Sequence, residues 1–503
     1  MNKKETTTNL YPLKGKRIIV TAWDLEHGEH RGIANYSKNL LRSLKSLGAE
    51  VWLLTGLTSD VKFRAKYIEE KKKIEISRII GQFADSNFGI TDNINFLKST
   101  YKSSSKLLKI ITLIKFIPIT FFYLLSGFIN LKYKYYERKY FEDNPLLKTS
   151  KLDYFKDVDG LVSAKHIFQK AGISAILNTS PIKIGLKKFD VFITTCPLRL
   201  KASNNIKTIQ TIHDIIPVTI PSYDDALHFY RRCVIALNTE RRIYVSSFTK
   251  SEYEFLLNER FKNIKYNNKS RILIQPPSLK LEEKVAKSLA NLDSIDDKNI
   301  KSLLRINKFK FKDKNLTSNQ YILFNSSIEP RKNLERALET FCDYKSTHEN
   351  SNFKICVIGN LQKNKYCKKL KNRFINEDII YTGYVDEKTK LLLFLNARAF
   401  ISPSLIEGFG IPVLDAASMG IKSLVSDIKP HQEIHNLKDF NKYLNLISLT
   451  NYNSWLDELE NIFENNESHI LSEEDKLNRI KRYFIISEQI NNEFNHNIQE
   501  LIK

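Results

Sequence analysis

The chain has 503 residues and a formal net charge of +23, from 79 Lys and Arg against 56 Asp and Glu. That length carries roughly two to four domains with sizeable cores. The basic balance favours anionic partners such as nucleotide diphosphates or acidic lipid surfaces, whereas no nucleic-acid module accompanies it, so nucleic acid is not an expected partner.

The first ten residues are polar and lack the apolar core of a secretory signal, which predicts a cytoplasmic protein. Cys196, Cys233, Cys342, Cys356 and Cys367 show no CxxC spacing, so neither a disulfide framework nor a zinc site is supported, and a reducing compartment is expected. Residues 16–22 read as a buried strand, followed by a loop through Gly32 and an amphipathic helix over 36–47, the opening of an α/β unit. Short apolar runs at 51–54, 191–194 and 208–212 read as further parallel strands. Residues 63–160 break the rhythm with lysine-rich helices and read as an insertion. Within it, residues 116–129 are apolar and uncharged between Lys115 and Lys132. A spanning helix needs about 20 such residues, so this segment reads as contact with an anionic membrane interface or as a buried helix pair.

Residues 281–318, rich in Lys, Asp and Asn, read as an interdomain linker. Alternation resumes with strands at 321–325, 353–359, 379–383, 399–402 and 423–426, a second parallel sheet, and residues 472–503 read as helix. The fold class is α/β, with two doubly wound Rossmann-like domains facing a cleft and a helical insertion in the first. The boundaries are 1–280, the linker 281–318, 319–478 and a last helix 479–503.

The densest chemistry lies at Pro403-Ser404-Leu405-Ile406-Glu407-Gly408-Phe409-Gly410-Ile411-Pro412-Val413-Leu414-Asp415, a strand-to-helix turn in which Pro412 opens a helix that Gly420 ends. Glycines without Cβ atoms at 408 and 410 let ligand oxygens approach backbone N–H groups at a helix start. Glu407 suits sugar hydroxyls, and Asp415, one helical turn beyond Pro412, suits a ribose diol. From spacing alone, a loop followed by an ordinary amphipathic helix stays equally open. Arg331 and Lys332, at the mouth of a helix beginning near Leu334, suit a diphosphate: Arg grips phosphate oxygens bidentately and Lys acts as a point charge. His213 and Asp214 end an apolar strand, a frequent place for catalytic groups, although a lone His is more often structural.

Together these motifs resemble the GT-B glycosyltransferases, specifically the retaining family 4 with its glycosyl transferases group 1 domain. Glu407 and Asp415 occupy the family's two acidic positions with Gly408-Phe409-Gly410 between them, and Ser326 to Asn333 resembles its diphosphate segment. Arg31-Gly32-Ile33-Ala34-Asn35-Tyr36 resembles the amino-terminal glycine loop, His213-Asp214 the strand-end histidine motif, and Val245-Ser246-Ser247-Phe248-Thr249-Lys250 the serine-containing strand and turn. The resemblance covers residues 16–55 and 186–490, with Asp415 where Glu is usual and Ser327 where many members carry Arg.

It implies sugar transfer with retention from a nucleotide-diphosphate donor, GDP-mannose as the first choice, to a hydroxyl of a surface-glycan or lipid-linked acceptor, without a metal or other cofactor. The implied catalytic residues are His213, Lys332 and Glu407. Arg331, Gly408, Phe409, Gly410, Ile411 and Asp415 would bind donor, and Gly32 and Asp214 would line the acceptor side of residues 1–280, to which the last helix would return. Asp157-Val158-Asp159 resembles the metal-binding DxD of the other glycosyltransferase fold, but its setting predicts a solvated loop. The implied location is cytoplasmic and peripheral on the inner face of the membrane. The alternatives are a GT-B nucleotide-sugar epimerase and a catalytically degenerate glycan- or partner-binding scaffold.

Overall fold

The computed structural model describes residues 11–26, 32–59, 68–85, 133–202, 206–220, 226–237, 239–258, 269–290, 298–311, 314–361, 365–464 and 470–503. The expected interfacial segment 116–129 lies outside them, as do His30 and Arg31. Among the described residues no helix is long and apolar enough to cross a membrane. The chain divides into two compact units, one of residues 1–245, 249–273 and 493–503, the other of 246–248 and 274–492.

The N-terminal unit carries β1 (Arg17–Thr21), β2 (Glu50–Thr55), β3 (Tyr133–Glu137), β4 (Gly160–Ala164), β5 (Ile182–Ile184), β6 (Val191–Thr194), β7 (Leu200–Ala202), β8 (Lys207–Ile212), β9 (Arg241–Tyr244) and β10 (Lys269–Ile272). Eight of them form one sheet in the order β10-β9-β8-β6-β1-β2-β4-β3, parallel except for β3, which runs antiparallel to β4. Ile18, Ile19 and Val20 of β1 are fully buried, as continuous apolar runs in a sheet covered on both faces should be. The helix Gly32–Ser46 buries Ala34, Tyr36, Leu40, Leu41 and Leu44, the three- and four-residue spacing of one helical face.

Two expectations for residues 63–160 need correction. Part of this stretch belongs to the sheet, since β3 pairs along β4 from Tyr133 with Ala164 to Glu137 with Gly160. Asp159 is not in a solvated loop: its carboxylate accepts from Lys45 Nζ (2.6 and 2.8 Å) and from the Val51 amide (2.9 Å), anchoring the entry to β4. Val158 beside it is fully buried.

In the C-terminal unit, β11 (Lys308–Phe311) and β12 (Lys314–Thr317) form an antiparallel pair. The strands β13 (Tyr321–Asn325), β14 (Lys354–Ile358), β15 (Ile379–Gly383), β16 (Ala399–Ser402), β17 (Lys422–Ser426) and β18 (Leu444–Ile447) form an all-parallel sheet ordered β15-β14-β13-β16-β17-β18. Numbered within the sheet this is 3-2-1-4-5-6, the doubly wound order, whose direction reverses between β13 and β16. One face buries Leu338 and Phe341 of the helix Leu334–Thr347 with Trp455 and Leu459 of the helix Tyr452–Glu464. Each such side chain stabilises by about 1.5–3 kcal/mol through burial.

Residues 281–318, expected as an interdomain linker, carry two helices, Glu283–Ala290 and Lys298–Leu304, followed by β11 and β12. Val285, Leu289, Ile300, Leu303, Leu304 and Leu316 are buried, so a few apolar residues at helical and strand spacing outweigh the polar majority. The chain crosses between units at residues 273–274 instead.

Candidate active site

The turns after β13 and β16 lie at the reversal point of the C-terminal sheet, where open α/β sheets bind ligands beyond the carboxyl ends of their strands. Lys332 ends a single helical turn, Pro330–Lys332, and Glu407 follows β16. Both are buried, each 8% exposed, and Lys332 Nζ donates to Glu407 Oε1 at 2.5 Å. Ser404 Oγ donates to the same oxygen at 2.9 Å, while Arg331 Nη1 lies 3.9 Å from Oε2. Arg331 Nε also donates to Glu329 (2.8 Å), and the Arg331 carbonyl accepts from the Leu405 amide (2.8 Å), which stitches the two turns together. Burial would raise the Glu407 carboxyl, but Lys332 and Arg331 hold it below the usual carboxylate range. Glu407 is therefore an anion with acceptor capacity left beside two cations.

Gly410 caps the helix Ile411–Ser418 with φ 108°, a left-handed conformation that glycine adopts without penalty. A Cβ there would meet His431 Cδ2 at 3.1 Å and Nε2 at 3.2 Å. Phe409 is buried, and the Gly408 carbonyl accepts from Ser246 Oγ at 2.7 Å. His431 is fully buried, with Nδ1 2.9 Å from the Ser426 carbonyl. A carbonyl only accepts, so Nδ1 carries the proton, and burial keeps the imidazole neutral by lowering its pKa against the opposing pull of Glu407. The motifs assigned no role to Ser404, Ser426 or His431. The clue available was the turn after β17, another strand end, with Pro430 marking a helix start.

Asp415, expected to face a ribose diol, is engaged within the protein. It is fully buried, and its two oxygens accept from the Ser278 amide (2.5 Å) and Ser278 Oγ (2.6 Å). Burial raises its pKa, opposed by Lys390 and by the Ser278 bonds. With one methylene fewer than Glu, the side chain stays close to its helix and pins residues just past the chain crossing. Tyr483 holds the same segment, donating to the Leu279 carbonyl (3.0 Å) and lying 2.7 Å from the Leu279 amide.

In the N-terminal unit the sheet order reverses between β1 and β6, and Thr21 Oγ1 and Thr195 Oγ1 meet there at 3.1 Å. His213 directly follows β8, donates from Nε2 to the Thr195 carbonyl (2.7 Å) and meets the Tyr36 ring edge-on at 4.9 Å. Burial lowers its pKa to about 4, against the raising effect of the Thr195 bond, so it is neutral near pH 7 with its lone pair on Nδ1. Asp214 Oδ1 accepts from the Ile216 amide (3.1 Å), closing a turn that opens the short helix Ile216–Thr219. Gly32 begins the helix after β1, and among the described residues no heavy atom lies within 4 Å of where its Cβ would be. Also among the described residues, no group of three or more His, Cys, Asp or Glu is placed to hold a metal ion.

Residues 305–478, which contain the Lys332–Glu407 pair and the glycine turn, match the family model for Glycosyl transferases group 1. This segment is a glycosyl transferases group 1 domain. The chain is 29% identical over 116 residues to O-antigen chain mannosyltransferase B of Escherichia coli, a match covering 23% of this chain and 30% of that protein. It is 26% identical over 132 residues to the serotype-specific mannosyltransferase WbdA of Escherichia coli, covering 25% of this chain and 16% of that protein. The matched stretches thus span less than a third of these curated relatives. Sucrose-phosphate synthase from Thermosynechococcus elongatus superposes with a TM-score of 0.51 at 12% identity, over 97% of this chain and 99% of that one. That likeness shows the fold to be GT-B, with the group 1 domain within its second unit.

Proposed function

We propose that the protein is a retaining glycosyltransferase that moves a sugar, mannose first, from a nucleotide-diphosphate donor to a hydroxyl of a surface-glycan or lipid-linked acceptor. The observation that carries this reading is the buried Lys332–Glu407 pair at the reversal point of a group 1 domain. A carboxylate held ionised there accepts hydrogen bonds from sugar hydroxyls, while Lys332 and Arg331 offset the charge that grows on a departing diphosphate. Amides at Gly408 to Ile411 add the positive end of a helix without a side-chain cap. In the N-terminal unit, neutral His213 offers Nδ1 as the acceptor for a substrate hydroxyl, and Gly32 opens the helix whose Tyr36 ring meets His213. The mannosyltransferase names of the relatives support mannose as the sugar and an O-antigen type of glycan as the acceptor. The reaction proceeds without a metal, and the protein works in the cytoplasm, peripheral to the inner membrane face.

The test is a thermal-shift screen of nucleotide sugars followed by acceptor-dependent release of nucleoside diphosphate, with the anomeric configuration of the product read by NMR. Glu407→Ala and Lys332→Ala should abolish release while leaving a folded protein. Turnover of donor without acceptor would instead identify an epimerase, absence of nucleotide binding a scaffold, and strict manganese dependence would overturn the metal-free mechanism. Flotation with anionic vesicles tests the membrane contact, which Phe121→Asp with Leu125→Asp should weaken.

A further inference from the structure

The donor carboxylate is backed by a chain of buried hydrogen bonds that ends on His431. Ser404 Oγ donates to Glu407 Oε1 (2.9 Å), Ser426 Oγ donates to the Ser404 carbonyl (2.6 Å), and His431 Nδ1 donates to the Ser426 carbonyl (2.9 Å). Ser404, Ser426 and His431 are at most 2% exposed, so no water competes for these bonds. The far edge of the imidazole lies under Gly410, with Cδ2 and Nε2 in the space a side chain at 410 would need. Nε2 is buried without a hydrogen-bond partner among the described residues. An unsatisfied buried acceptor ordinarily costs about 1–3 kcal/mol, and an apolar ring of the same shape would avoid that cost. A histidine kept there at that cost points to a role for its other nitrogen.

We propose that His431 is a positioning residue for donor recognition, fixing Glu407 through Ser426 and Ser404 and supporting the Gly408–Gly410 turn with its ring. The proposal rests on the donor-sugar reading of Glu407. His431 itself touches neither donor nor reacting atoms. The chain fixes the Ser404 backbone through its carbonyl and so sets the place from which its hydroxyl donates to Oε1; with Oε1 taken by Lys332 and Ser404, Oε2 is presented to the sugar. Breaking the chain leaves the Lys332 pair but frees the carboxylate to rotate. The loss should therefore fall on the sugar and spare the nucleotide diphosphate.

The experiment measures affinity for GDP-mannose and for GDP separately, by calorimetry on the full chain, in the wild type and three variants. His431→Phe keeps the ring volume under Gly410 and removes both nitrogens. His431→Asn keeps a donor near the place of Nδ1. Ser426→Ala removes the link to the Ser404 carbonyl and serves if His431→Phe does not fold. His431→Phe and Ser426→Ala should weaken GDP-mannose about tenfold and GDP less than twofold, with His431→Asn recovering most of the difference. Equal losses for GDP and GDP-mannose would reduce His431 to a structural role and overturn the proposal. Unchanged affinity for both ligands would overturn it as well. A wild type that binds neither these nor any other nucleotide sugar would remove the donor reading itself, and the proposal with it. A wild type that binds another nucleotide sugar shifts the same comparison to that sugar and its diphosphate.

Discussion

Asp415 and Ser278 are 137 positions apart in the chain, yet the Ser278 amide and hydroxyl each take one of the two Asp415 carboxylate oxygens. Asp415→Asn replaces one acceptor with a donor facing the same partner. It should lower stability by about 1–3 kcal/mol, and Ser278→Ala by less, both read by urea unfolding. If Asp415 instead serves a ribose, Asp415→Asn will lose nucleotide affinity with its unfolding midpoint unchanged.

Lys332 and Glu407 neutralise one another in a buried place, so removing either alone leaves a charge without its partner. Lys332→Ala should destabilise the C-terminal unit by about 3–5 kcal/mol, whereas Lys332→Met combined with Glu407→Leu should cost less than the sum of its two single changes. A double-mutant cycle by chemical denaturation measures the coupling. Strict additivity would show the pair to be energetically independent.

Gly410→Ala forces a Cβ into a left-handed conformation, in tight contact with His431 Cδ2 at 3.1 Å. The backbone strain alone costs about 1–2 kcal/mol. Donor affinity should fall along with the melting temperature, because the same turn presents the amides. Gly81→Ala, in a helix and with no atom near its Cβ position, is the control and should be neutral or slightly stabilising.

His213 titrates near pH 4 in the folded protein and near 6.5 when unfolded. Between those values the unfolded chain binds more protons, so stability falls as pH drops from 6.5 towards 4. The slope in that window should carry up to one proton, at most about 1.4 kcal/mol per pH unit, and His213→Gln should remove it. Denaturation midpoints at several pH values compare the two slopes.

Glu26 has the opposite sign. Burial raises its carboxyl to about 8, against the lowering effect of the Thr55 hydroxyl and Gly56 amide on Oε1. Its stabilising contribution is complete below pH 4.5 and is lost as pH rises through 8. Glu26→Gln, whose carbonyl can accept both bonds, should be more stable than the wild type at pH 9 and lose that advantage near pH 5.

The C-terminal sheet was legible because its central strands are buried on both faces and read as uninterrupted apolar runs, such as Tyr321–Asn325 and Ala399–Ser402. Edge and charged strands were not. Arg241–Tyr244 begins with two arginines that reach fixed carbonyls, Arg241 that of Leu501 and Arg242 that of Ala236, so both side chains are buried despite their charge. Within the site, Lys332 and Glu407 announced themselves by residue type and by glycine spacing. Asp415 carried the same signals, while its bonds to Ser278 follow from no local pattern. His431 gave only the weak signal of a strand end followed by Pro430, since its bonded chain through Ser426 and Ser404 joins two different strand ends.

The last helix, Glu473–Ile502, is divided between the units at residue 493. Residues beyond that point complete the first unit: Phe494 meets Tyr36 edge-on, and Lys207 Nζ donates to the Ile502 carbonyl at 2.9 Å. During synthesis the first 273 residues must therefore wait, without their final packing partners, while more than two hundred others are made. Trimming the helix at residue 493 would injure the half of the protein encoded first, and in that half it would leave the Tyr36–His213 contact without the Phe494 ring behind it.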